Sequence, residues 1–132
     1  MRHFVAYHNT ERMGQSLREG DPLRLLTNKP VQRLVSNTVW FVVGSGTDSR
    51  EYALGSVFVV DDVGETHSEK FKWYAAGSGW IFDTPPVLNQ FDWFPDFFRN
   101  MAHFSLGVRE ITDQHVIAPF VELAIQAGYR VR

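Results

Sequence analysis

Five histidines, His3, His8, His67, His103 and His115, are the first residues to weigh for chemistry, because imidazole ligates metals and moves protons near neutral pH. Their spacing argues against a metal centre. No two of them stand three or four apart on a predicted helix, and neither HExxH nor DxD occurs. The chain has no cysteine, so thiolate metal sites, disulfides and sulfur redox chemistry are excluded. No metal and no cofactor is expected. Nucleophilic catalysis is equally poorly supplied, since there is no GxSxG elbow and Gly44-Ser45-Gly46 and Gly77-Ser78-Gly79 are turn sequences. Neither opens a helix or continues as GxGxxG, so neither cradles a phosphate. Asp61 with Asp62, and Asp92 with Asp96, suit turns and helix starts better than acid–base work. No catalytic residue is assigned.

Rings are what the sequence has in excess: four Trp, four Tyr and eleven Phe in 132 residues. Phe94, Phe97, Phe98 and Phe120 fall at helical spacing and read as core. Trp40, Trp73, Tyr74, Trp80 and Trp93 have no such account. Stacking of a planar base between rings contributes about 1–3 kcal/mol per base and needs no net positive charge. That suits a chain whose net charge is −2. The charge is uneven, however: residues 1–33 carry six basic groups against three acids, a local +3, and residues 34–98 carry three against nine, a local −6. Such a balance disfavours coating of a phosphate backbone but permits a basic rim beside a specific pocket.

Those side chains need elements to hold them. HFVAYH reads as a first strand, and Thr10 caps a short helix that Gly14, Gly20 and Pro22 soon break into a basic loop. LVSNTVWFVVGSG is the clearest strand, with Val39, Phe41 and Val43 on one face and Trp40 and Val42 on the other. EYALGSVFVVDDV pairs with it as an antiparallel hairpin, and Gly55 marks a bulge. SEKFKWYAAG and SGWIFDT predict two short strands about Gly77-Ser78-Gly79. Phe94, Phe97, Phe98 and Met101 predict a helix with Pro95 in its first turn. A C-terminal amphipathic helix follows, capped by Thr112 or Asp113, with Val116, Ile117, Phe120, Val121 and Ala124 inward and Gly128 as its stop. The expected fold is α+β: one domain over 1–132, a curled, mostly antiparallel sheet or small β-barrel flanked by short helices. No apolar run reaches membrane-spanning length and no signal peptide is evident, so a cytoplasmic protein without membrane contact is expected.

The order of these signals resembles the PUA-like superfamily, its EVE and ASCH types in particular. A first strand ending Tyr7-His8-Asn9 is followed by a basic loop, TVWFVVGSG, EYALGSVFVV and FSLGVREITDQHVIAPFVELA, covering nearly the whole chain. Asn9 is followed by Thr10-Glu11 where the EVE type has a proline. The resemblance implies a pocket for a base, plain or modified, in DNA or RNA, and a nucleotide turned out of a duplex fits it. Carried over by position, it implies a ligand set of Tyr7, His8, Asn9, Trp40, Trp73, Tyr74 and Trp80. Asn9 offers a donor and an acceptor to a base edge, and Arg12, Arg18, Arg24 and Lys29 hold the flanking phosphates. The competing readings are a small enzyme on a nucleotide or other planar metabolite, with His8 or His103 as acid or base, and a protein-interaction domain anchored by exposed rings.

Overall fold

The computed structural model describes residues 1–9, 21–46, 50–101 and 107–130. Among these, the strands are β1 (His3–Asn9), β2 (Arg24–Thr27), β3 (Thr38–Ser45), β4 (Glu51–Glu65), β5 (Trp73–Ile81) and β6 (Arg109–Ile111). The helices are α1 (Phe94–Asn100) and α2 (Gln114–Gln126), and a 3-10 turn spans Gln32–Leu34. The short helix expected after Thr10 lies outside the described residues.

One mixed sheet results, in the order β2-β5-β4-β3-β1-β6. β1 and β3 run parallel, with Val5 opposite Trp40 and Tyr7 opposite Val42. The other four pairings are antiparallel. The described strands leave the sheet open, with β2 and β6 as its edges. It nevertheless curls, which brings the Lys29 ammonium, just past β2, to donate to the Val108 carbonyl, just before β6, at 3.2 Å. A side chain, not a strand ladder, spans the seam there.

Burial on both faces explains why the central strands read as continuous apolar runs. Inside the curl lie Phe4, Ala6, Val39, Phe41, Phe58, Val60, Leu25 and Ala75, closed by Val31, Leu34 and Val108. Outside it Val5, Trp40, Val42, Leu54 and Val57 pack under Phe94 and Phe97 of α1 and Val116, Ile117, Phe120 and Ala124 of α2. The sequence TVWFVV thus sends alternate side chains into two different cores.

Two bulges keep the long β4 in phase. Phe41 faces Ser56 while Val42 faces Leu54, so Gly55 is the extra residue, as expected. Leu54 and Val57, three apart, therefore share the outer core. A second shift between Val60 and Asp62 does the same for Val60 and Val63 on the inner face.

β5 corrects the expected pair of short strands. It runs unbroken through Gly77-Ser78-Gly79, pairing with β4 throughout. These glycines are not turn residues: a Cβ at Gly77 or Gly79 would overlap the Val59 or Val57 carbonyl of the neighbouring strand. The C-terminal helix has the expected ends. Asp113 accepts from His115 N at 2.9 Å. At the other end, Gly128 at φ 109 directs its own N–H to Ile125 and that of Tyr129 to Ala124. Pro119 lies inside the helix and neither starts nor ends it.

Candidate functional site

The seam gathers cations. Arg2, at the entry to β1, and Arg33, in the 3-10 turn, bring their guanidinium carbons to 5.2 and 5.1 Å from the Phe4 ring centroid. Asn37 fixes both backbones, its Oδ1 accepting from Arg2 N at 2.9 Å and its Nδ2 donating to the Arg33 carbonyl at 2.8 Å. Arg2 is neutralised, donating through Nε and Nη2 to the two Glu110 oxygens at 2.9 and 2.6 Å. That fork holds the Glu110 carboxyl below its usual range and lifts Arg2.

Lys29, Arg33 and Arg109 are different. Lys29 bonds the Val108 carbonyl, Arg109 Nη1 donates to the Asn100 carbonyl at 3.1 Å, and among the described residues none of the three forms an ion pair. Partial burial pushes the Lys29 ammonium down, and the nearby Arg33 and Arg109 charges push it further. Three cations therefore lie together; Glu110, forked to Arg2, feels the Arg33 charge, but no carboxylate among the described residues forms an ion pair with any of the three, which leaves them open to an anion.

A second cluster lies at the far end of β1. The Tyr7 ring folds across β3 over Gly44, where any Cβ would meet it. Its hydroxyl accepts from Arg50 Nη1 at 3.2 Å, and Tyr52 stands 5.9 Å away. Tyr52 in turn packs at 4.9 Å on Phe98 and 5.5 Å on Phe94. Burial, with Tyr7 beside it, raises the Tyr52 phenol above its usual value, and Arg50 opposes this. Rings and one guanidinium meet here at the exit of the parallel pair.

Of the seven candidate ligand residues, the six whose side chains are described are not brought into one pocket. Trp40 needs the plainest correction: it has no exposed surface, its Nε1 donates to His3 Nδ1 at 3.0 Å, and its ring packs 5.4 Å from Phe120. It is a core residue covered by α2, so it leaves the ligand set. Trp80 shares a cross-strand row with it, separated by Val57. Its ring stacks on Tyr129 at 6.2 Å, and its Nε1 is buried without a partner. Trp73 and Tyr74, neighbours on one strand, point to opposite faces. Trp73 packs on the inner core with Lys72 over its ring at 5.5 Å. Tyr74 and Trp80 share a face but stand six residues apart, about 20 Å along the strand.

Tyr74 also has a structural task. It covers Gly64 on the paired strand, donates to Asp62 Oδ1 at 3.0 Å and lies under the Arg24 guanidinium at 4.5 Å. Arg24 is thus committed to a ring, and of the four expected phosphate ligands it is Lys29 that stands in the seam. Arg12 and Arg18 lie outside the described residues, as does His103. His8 is 8% exposed, on the same face as Phe4 and Ala6. Asn9 ends β1 opposite Gly44, and its side chain lies outside what is described.

Comparison with protein-family models, curated proteins and solved structures found no match. The site therefore has to be read from its own chemistry. Among the described residues no three His, Asp or Glu side chains group to hold a metal ion, and no helix is long and apolar enough to cross a membrane. Sequence reasoning passed over Arg2, Arg33 and Arg109 in the seam and Arg50 and Tyr52 at the Tyr7 end. The i, i+2 spacing of Arg2 and Phe4 on one strand face is the one local signal for the first group.

Proposed function

We propose that the chain is a PUA-like nucleic-acid-binding module, its curled sheet the counterpart of that superfamily's small barrel, acting in the cytoplasm by binding alone. The observation that carries this reading is the seam: Lys29, Arg33 and Arg109 gathered with no ion pair of their own among the described residues, in a chain whose net charge is −2. Nucleic acid supplies what the seam lacks, a line of anions at regular spacing. The partly exposed rings supply the other half of the expected chemistry, stacking of bases. Tyr7 and Tyr52, with Arg50 between strand ends, are the ring pair best placed for a base, plain or modified.

The test is direct titration of labelled DNA and RNA, single-stranded and duplex, with and without base modifications, followed by anisotropy and by Trp fluorescence. Saturable binding is expected. Replacing Lys29 or Arg109 by Ala should weaken it uniformly across sequences and flatten the salt dependence by about one phosphate contact each. Absence of saturable binding to every nucleic acid at low salt sinks the reading.

A further inference from the structure

Arg33 differs from the other seam cations in what lies beneath it. Its guanidinium sits over Phe4, which is fully buried, while Arg33 itself is exposed. A guanidinium within cation–π range of a buried ring and itself open to solvent keeps a planar surface for another flat group. The position is well fixed. The 3-10 turn closes through Leu34 N to the Val31 carbonyl at 3.0 Å, and Ser36, at φ 66, donates its N–H to the Val60 carbonyl at 2.8 Å. Asn37 holds the Arg33 carbonyl from the other side. Arg2 lies against the same ring but is tied into a two-oxygen fork with Glu110. Glu110 feels the Arg33 charge but bonds Arg2, so among the described residues Arg33 is the guanidinium over this ring that no carboxylate bonds.

Resting on the nucleic-acid reading, we infer that the seam takes a single strand, with an unpaired base lying on the Arg33 guanidinium beside Phe4 and adjacent phosphates on Lys29 and Arg109. Guanidinium planes, like aromatic rings, stack on the faces of unpaired bases. In a duplex those faces are already covered by neighbouring pairs, and only the phosphates are left to bind. Three cations are too few to hold a duplex well on charge alone. Stacking is sequence-tolerant, so the seam selects strandedness and not sequence.

The experiment compares a labelled single strand, a fully abasic strand of the same length and the duplex, against the wild type, Arg33→Lys and Arg33→Ala. The wild type is expected to bind the single strand most tightly and to lose about fivefold or more on the abasic strand, the lower bound of one stacked base. Arg33→Lys keeps the charge, so it should keep the salt dependence and lose the preference for bases. Arg33→Ala should lose both. Arg33 is exposed, and an unchanged melting profile shows that either variant is folded. Equal binding of strand and duplex, or a base preference that survives in Arg33→Lys, overturns the inference while leaving the nucleic-acid reading in place. No binding by any of the three probes overturns both.

Discussion

Two indoles in one cross-strand row show how differently a tryptophan can be used. Trp40 is fully buried and its N–H is satisfied by His3, whereas Trp80 is partly exposed and its Nε1 is buried without a partner. Trp40→Phe should destabilise the fold by about 2–4 kcal/mol, from lost packing and a stranded imidazole acceptor. Trp80→Phe should lose less than about 1 kcal/mol, because no hydrogen bond goes with the indole. Urea unfolding followed by circular dichroism decides between them, and equal losses would show that the hydrogen bond is immaterial. The same pair sets a pH dependence. Burial, then the amino terminus, holds the His3 imidazole below its usual value, and the Trp40 bond to Nδ1 also favours the neutral ring. For a base with a depressed folded pKa, the unfolded chain takes up its proton first. His3 thus contributes stability in full above about pH 6.5, and that stability drains away as pH falls below it. His3→Gln should remove that component, so the wild-type advantage over the variant should grow as pH is raised from about 5 to 7. A pH-independent gap between the two would rule this out.

At the scale of elements, the close packing of β1 on β3 turns on Gly44. The Tyr7 ring occupies the space of a Cβ there, but the atoms that would clash are the far end of a movable side chain. Gly44→Ala should therefore swing Tyr7 off Tyr52 and Arg50 and destabilise the protein by about 1 kcal/mol without unfolding it. In a Tyr7→Ala background the same change should be nearly neutral, a coupling of about 0.5 kcal/mol or more in a double-mutant cycle. Additive effects would mean that the two residues do not interact. These elements also show what the sequence could carry. β3, β4 and α2 were legible because each holds a long apolar pattern and its own punctuation, Gly55 for the bulge, Asp113 and Gly128 for the helix ends. β2 and β6 were not, since four and three residues carry too little pattern and their partners lie far along the chain. Gly77 and Gly79 misled for a physical reason, as glycine serves close strand approach as readily as it serves a turn. Of the site, Lys29 was visible as a basic loop residue. Its meeting with Val108, 79 positions away, was not, because that contact exists only once the sheet curls.

At the scale of the whole molecule, charge decides how nucleic acid can be held. The basic residues of the seam come from two separate stretches of chain, 29–33 with Lys29 and Arg33 and the strand start at Arg109, while residues 34–98 carry a net −6. The protein has no surplus with which to coat a backbone, so its electrostatic reach should be that of the seam alone. Each phosphate charge neutralised on a single strand contributes about −0.7 to the slope of log K against log salt, so the three cations, Arg33 through its charge while its face takes a base, put the slope near −2. Affinity should then fall about 16-fold between roughly 50 and 200 mM salt, the remainder coming from stacking that salt barely touches. Lys29→Ala should reduce the slope toward about −1.4 while leaving the preference for bases over an abasic strand intact. Arg33→Lys should do the reverse. A wild-type slope steeper than about −4 would mean that phosphates are held over a much wider surface than the seam, and the division of labour between charge and stacking would fail with it.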